Sequence, residues 1–343
     1  MKNKIPPLTT SNTMLATVVT FLLLATIVTV GMMTPLIIKI TSGIELSLQP
    51  EYFNNRTAIP VAMLVLLLSA CMLTGYSDRK YVIAVVSTSI LISIMFVVFS
   101  PFGNTAIDIS VPILVIALFA TLYRMMKIYA TNKNAATSGK IRKLSAHVIH
   151  IGIILILIGV ILSSNMRIES SAVLGTEEMG IFEGQNYQLK ISRMDSYYGG
   201  EAFRNYPASS YTTEVDFDIY RNGEYFKSGQ VKYITDFKWA QTYTTTYINR
   251  GLTEELFIAP RAIDESRGEI DLYMRTVPFI NTLWGGIYLM AIGIIGLLIS
   301  DRASSDRTNN AIKGSRAGAE GRYDRMLEQE IEKRRTQREK RKR

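Results

Sequence analysis

Six apolar runs punctuate the chain, at 14–33, 60–76, 81–100, 109–123, 144–164 and 279–300, with polar stretches between them rather than mixed into them. A hydrocarbon core about 30 Å thick takes roughly 20 residues of apolar helix, so each run predicts a transmembrane helix, the second and fourth being short. Between the fifth and sixth runs, over 166–278, the period changes. In Glu214-Val-Asp-Phe-Asp-Ile-Tyr-Arg-Asn-Gly-Glu-Tyr-Phe226, Val215, Phe217 and Ile219 alternate with Glu214, Asp216 and Asp218. That is the period of a half-buried strand, and Asn222-Gly223 predicts a type I′ hairpin turn. Further strands are expected at 186–193, 230–236, 254–259 and 269–277, enough for a small antiparallel sandwich or barrel.

The fold class that follows is an α-helical integral membrane protein of about six transmembrane helices carrying a small extracytoplasmic antiparallel β domain. The 343 residues are 48% hydrophobic with a net charge of +9. In a soluble protein that charge would suggest nucleic acid, but here the basic residues follow membrane topology. Lys2 and Lys4; Arg79 and Lys80; Arg124, Lys127, Lys133, Lys140, Arg142 and Lys143; and the tail from Arg302 fall on alternate sides of successive runs. The positive-inside bias then puts both termini in the cytoplasm and the protein in the cell membrane. The organisation expected is a cytoplasmic N-terminus (1–13), a five-helix membrane region (14–165), an extracytoplasmic β domain (166–278), a last transmembrane helix (279–300) and a basic cytoplasmic tail (301–343). No small-residue cleavage pattern follows the first run, so it is expected to be a retained helix rather than a signal peptide.

Catalytic side chains are scarce. The single cysteine, Cys71, lies in the second run and excludes an intrachain disulfide or CxxC redox pair; it is expected to be a small buried hydrophobe. No phosphate loop, zinc spacing or nucleophile elbow occurs. In the β domain, Glu177-Glu178 and Asp264-Glu265 sit in turn-like contexts and read as solvated charges, and Tyr197, Tyr198, Tyr206, Tyr211, Tyr243, Tyr247 and Trp239 as ordinary packing rather than a binding face. The tail, with a charged stretch from Arg322 to Arg343, reads as a topology anchor near anionic membrane lipid, with no nucleic-acid partner. Asn55-Arg-Thr57 matches a glycosylation acceptor in an outer segment, a weak signal. The two histidines, His147 and His150, stand three residues apart on one helical face of the fifth run. An ionisable group there is costly unless it is used. His150 lies about 9 Å along a helix that starts near Leu144, and His147 one turn shallower, where it can snorkel.

Four strings resemble cytochrome c maturation protein F (CcmF, the haem lyase family). His150-Ile-Gly-Ile-Ile-Leu-Ile-Leu-Ile-Gly-Val-Ile-Leu-Ser is similar to the family's helix with a haem-ligating histidine. Gly31-Met-Met-Thr-Pro35-Leu resembles a loop of the family, the following Tyr52-Phe53-Asn54 its later Phe-Asn, Gly251-Leu-Thr-Glu-Glu-Leu-Phe257 a strand, and Pro278-Phe-Ile-Asn-Thr-Leu-Trp284 through Gly293 to Ser300-Asp301-Arg302 the last span. Order and spacing agree. The family's first half, with a tryptophan-rich segment and three further histidines, has no counterpart: only Trp239 and Trp284 occur. Two of its strings are eroded to Tyr233–Asp236 and Tyr243–Thr245. The chain therefore resembles the C-terminal half of CcmF as a split subunit.

This resemblance implies that His150 is an axial ligand to the iron of a haem b shared with a partner chain, with His147 a weaker candidate. Gly152 and Gly159 would leave room for a haem or a neighbouring helix. The implied partners are an N-terminal-half CcmF-like protein with the tryptophan-rich segment, a haem chaperone and apocytochrome c. The implied function is that of a haem lyase subunit, keeping haem reduced and joining it to CxxCH thiols outside the membrane. The alternative is a non-catalytic membrane anchor presenting a β-domain docking or sensor module.

Overall fold

The computed structural model describes residues 9–74, 77–131, 137–264 and 266–302. Lys2, Lys4, Lys133, Glu265 and the basic tail from 303 lie outside the described residues. Among the described residues, six helices are long and apolar enough to cross a membrane: α1 (Thr10–Ser42), α2 (Pro50–Leu73), α3 (Arg79–Phe99), α4 (Thr105–Thr131), α5 (Thr137–Asn165) and α6 (Ile280–Arg302). Nine strands, β1 (Ile168–Gly175), β2 (Met179–Ile181), β3 (Tyr187–Gly199), β4 (Ser210–Arg221), β5 (Glu224–Asp236), β6 (Gln241–Thr245), β7 (Tyr247–Arg250), β8 (Glu254–Asp264) and β9 (Glu269–Pro278), separate α5 from α6.

The helices outrun the apolar runs that announce them. At 33 residues α1 is about 50 Å long. It continues through Pro35, which forfeits one backbone donor, and stops where Gly43 turns to φ 68 and its N–H reaches the Lys39 carbonyl. Gly31–Leu36, expected to be loop, is therefore helical, in α1, and Tyr52–Asn54 lies in α2. In lipid a helix is the way for backbone groups to bond within their own segment, so one missing donor does not unwind it. These two strings meet: a Cβ on Gly31 would lie 2.6 Å from Phe53 Cε1 and 3.1 Å from Tyr52 Cε1. Asn55 and Thr57 sit in the first turns of α2, so the acceptor triplet is helical as well, and Cys71 is half-buried rather than buried. The α3–α4 turn is closed by Asp108, which accepts from the Ser100 hydroxyl at 2.8 Å and the Phe102 N–H at 3.3 Å.

The β domain is two antiparallel sheets, one ordered β1-β9-β8-β7 and one β2-β3-β4-β5-β6. The alternation read from the sequence sets the core. Leu189, Ile191, Val215, Phe217, Ile219 and Val231 of the five-stranded sheet face Leu256, Ile258, Ile270, Leu272 and Met274 of the four-stranded one. Each such side chain contributes about 1.5–3 kcal/mol by leaving water. Asn222 and Gly223 adopt φ 51 and 84, as a type I′ turn requires, and Arg221 pairs with Glu224 across it. The four strands expected at 186–193, 230–236, 254–259 and 269–277 exist and are longer. Strands β1, β2, β6 and β7 were not foreseen: β6 is exposed at every position and so shows no alternation, and β2 has three residues.

The expectation that the domain's aromatics pack is corrected. Tyr197, Tyr198, Tyr206, Trp239 and Tyr243 are exposed, and Tyr211 is half-buried; Tyr247 alone of the seven packs on the core, edge-on to Phe217 at 5.6 Å. The reason is that β3, β4 and β5 run on past the aliphatic core, and their far ends carry these rings on an uncovered surface. Glu177 pairs with Lys190 at 2.7 Å, Glu178 accepts from the Gly175 N–H, and Asp264 closes the turn at Ser266. They are solvated charges, as expected.

The chain forms two compact units. The first holds the residues up to Phe119 together with Ile153–Ile287, including the whole β domain. The second holds Ala120–Gly152 and the residues from Tyr288 onward.

Candidate functional site

Both histidines fall in the second unit, on α5. At 100° per residue they face largely away from Ser145 and Ile149 of the same helix. Those two residues meet α6: a Cβ on Gly293 would lie 2.6 Å from Ile149 Cγ1 and 2.9 Å from the Ser145 carbonyl oxygen, so glycine is what lets the helices approach. Arg142 of α5 and Asp301 of α6 add an exposed ion pair at 3.4 Å, worth at most about 1 kcal/mol.

On the other face the two imidazoles stand edge to face, ring centroids 6.5 Å apart. Position along the helix does not decide their burial. His147, the shallower one, does not snorkel: it is only 7% exposed, whereas His150 is half-buried. His147 Nδ1 lies 2.7 Å from the Lys143 carbonyl oxygen. A carbonyl only accepts, so the proton is on Nδ1 and the Nε2 lone pair is free; Nε2 is buried and has no partner. The positive charge of Arg124, on the α4 segment of the same unit, reaches both rings. Sequence reasoning took Arg124 only as a topology marker, and no short-range pattern links it to a histidine 23 residues or more away in the chain.

The two glycines differ. Gly152 is buried, two residues before Ile154, which is itself 0% exposed. Gly159, in the first unit, is held against α6, where a Cβ would lie 2.7 Å from Leu283 Cα. A neighbouring helix takes up the space beside it.

The arrangement fits a haem at His150 better than at His147. A porphyrin needs an open approach to the ligating nitrogen, which a half-buried ring offers and an enclosed Nε2 does not. His147 is the stiffer group, held by its carbonyl, and its enclosed lone pair suits a small donor. Among the described residues no three His, Cys, Asp or Glu side chains gather as a metal site. In the β domain Glu254 on β8 accepts from the Tyr187 hydroxyl and from Arg221 Nη2, each at 2.9 Å. Burial, then the bond to Glu254 and its negative charge, push the Tyr187 phenol up to about 12. The cluster ties β3 and β4 to β8 beside a hollow of about 450 Å³ bordered by Arg221, Asn222, Glu224, Tyr225 and Phe226, and it holds no nucleophile.

Six apolar helices with a two-sheet antiparallel domain between the fifth and the sixth define a multi-pass membrane protein. Residues 117–253 match the ResB-like family. The fold is similar to that of the solved structure of the cytochrome c haem lyase CcmF, with a TM-score of 0.63 and 15% identity over 86% of this chain and 46% of that one. The chain thus spans about half the length of that haem lyase. No curated protein sequence matches the chain.

Proposed function

We propose that the chain is a membrane subunit of a cytochrome c maturation haem lyase, with His150 as an axial ligand of a haem b. The observation that carries this reading is a half-buried, approachable imidazole in α5 of a chain whose fold is that of a named haem lyase and whose residues 117–253 match the ResB-like family. When bound, the haem supplies a redox-active iron. The chain's own residues would do the holding: α5 presents His150, His147 is bonded to the preceding turn through the Lys143 carbonyl, and the positive charge of Arg124 near both rings would favour an anionic group.

A haem held by two imidazoles would need them from opposite sides. Two side chains one helical turn apart, with Cβ atoms about 5–6 Å from each other, project the same way and cannot provide both. The second imidazole and the tryptophan-rich segment are therefore assigned to a partner chain resembling the N-terminal half of CcmF. Haem chaperone and apocytochrome c are the further partners, and thioether formation at CxxCH thiols belongs to the β-domain side of the cell membrane, taken as outside, with both termini cytoplasmic.

The test is the reduced-minus-oxidised absorbance of the purified membrane complex. A reducible b-type spectrum supports the proposal. A colourless complex containing its intact partner favours the non-catalytic anchor with a docking domain.

A further inference from the structure

The β domain joins α6 without a linker. β9 ends at Pro278 and α6 begins at Ile280, so Phe279 alone makes the passage, in a left-handed conformation at φ 60 that a bulky residue adopts only when its surroundings impose it. Those surroundings are the turn between β7 and β8. The Phe279 N–H donates to the Thr253 carbonyl at 2.8 Å, and Asn281 Nδ2 donates to the Leu252 carbonyl at 3.0 Å and to that of Gly251. The turn 251–253 is thereby fixed at the level of the first turn of a membrane-crossing helix.

Its tip is Leu252, 95% exposed. A lone exposed leucine on a soluble protein needs no explanation, but this one is held at the start of an apolar helix long enough to cross a membrane. It has company. Glu254 stands opposite Pro278 in the β8–β9 register, and the bonds from Tyr187 and Arg221 to Glu254 bring the β4–β5 hairpin to the same end of the domain. That hairpin exposes Tyr225 at 61% and Phe226 at 41%. Trp284, exposed within the first two turns of α6, continues the same band. Aromatic and apolar side chains at the junction of a span with water are the composition of a membrane interface.

We infer that the β7–β8 turn, with Leu252 at its tip and Tyr225 and Phe226 beside it, is seated in the leaflet of the membrane that the six helices cross, on the β-domain side. The occupant of this surface is lipid because the surface is continuous with the exposed apolar faces of the helices and is held at their boundary by Phe279 and Asn281. The domain is then pressed onto the bilayer by one end, and the opposite end of β3–β5, with Trp239 and Tyr206, points away from it. The inference stands whether or not His150 binds haem.

The experiment places tryptophan at 252 in the full-length chain (Leu252→Trp), with Ser209→Trp at the far end of the domain as control. Both are reconstituted in nanodiscs of phosphatidylcholine with and without bromine near the top of one acyl chain. The emission added by Trp at 252, over that of the parent chain, should fall about twofold or more in the brominated discs, while that added at 209 stays unchanged. An unquenched signal at 252, or equal quenching at both positions, overturns the inference.

Discussion

His147 Nδ1 lies 2.7 Å from the Lys143 carbonyl oxygen, one turn earlier on the same helix, and this bond fixes the ring of the histidine nearer the start of α5. The shallower ring is buried, whereas the deeper one, His150, is half-buried. Replacing His147 by Asn should disturb the α5 turn without abolishing cofactor binding. Thermal unfolding of the purified complex should show a loss of about 1 kcal/mol, the worth of one hydrogen bond.

Gly159 and Gly285 give a contrast in helix packing. A side chain at Gly159 meets the Leu283 backbone, so Gly159→Val should separate α5 from α6 or strain them, costing about 1–3 kcal/mol or more. A Cβ at Gly285 meets nothing within 4 Å, so Gly285→Ala should cost nothing. Melting temperatures of the two variants in detergent check this; equal losses would contradict the contact at Gly159.

The strand alternation, the Asn222-Gly223 turn and the six spans were legible because each is a local pattern whose period is set by backbone geometry. What the sequence hid depends on contacts between distant segments. Gly31 reads as a loop glycine beside Pro35, yet it lies inside α1, and it is glycine because the Tyr52 and Phe53 rings need the space. Gly251 to Thr253 and Phe279 to Asn281 read as two separate strings, but they are one hydrogen-bonded junction. The exposed aromatics at the far end of β3–β5 look like core by composition alone; only the limited overlap of the two sheets shows that they are not. At the candidate site, the pairing of His147 with His150 was visible at helical spacing, whereas the difference in their burial and the proximity of Arg124 were not.

Tyr187 makes the β domain sensitive to alkali. Its phenol, normally near 10, is raised to about 12 by burial and by Glu254. The folded state thus holds this proton more tightly, and the resulting stability is complete below about pH 10 and is lost as pH rises toward 12. Tyr187→Phe should lower stability at neutral pH by about 1–2 kcal/mol through the lost bond to a carboxylate, and flatten the fall between pH 10 and 12. Parallel slopes for the two proteins would show that Tyr187 is not the group responsible.

The proposed topology rests on the alternating basic clusters. Cysteine at Ser209 should be labelled by an impermeant maleimide from outside intact cells, and cysteine at Ser315 only after the cytoplasmic face is opened. The opposite pattern would invert the assignment.

Dependence on a partner is checked by expression. The chain alone should insert in the membrane with little or weakly bound haem, and coexpression with an N-terminal-half CcmF-like protein should restore it. Stoichiometric low-spin haem on the isolated chain would contradict a split subunit, except in a homodimer to which each copy contributes His150.

The most direct measurement is the haem absorbance of the coexpressed complex in His150→Ala and His147→Ala variants, at equal protein. The account predicts that His150→Ala removes or strongly shifts the b-type bands while His147→Ala keeps most of them. Equal haem content in the two variants, or loss confined to His147→Ala, would contradict the assignment of His150 as the iron ligand.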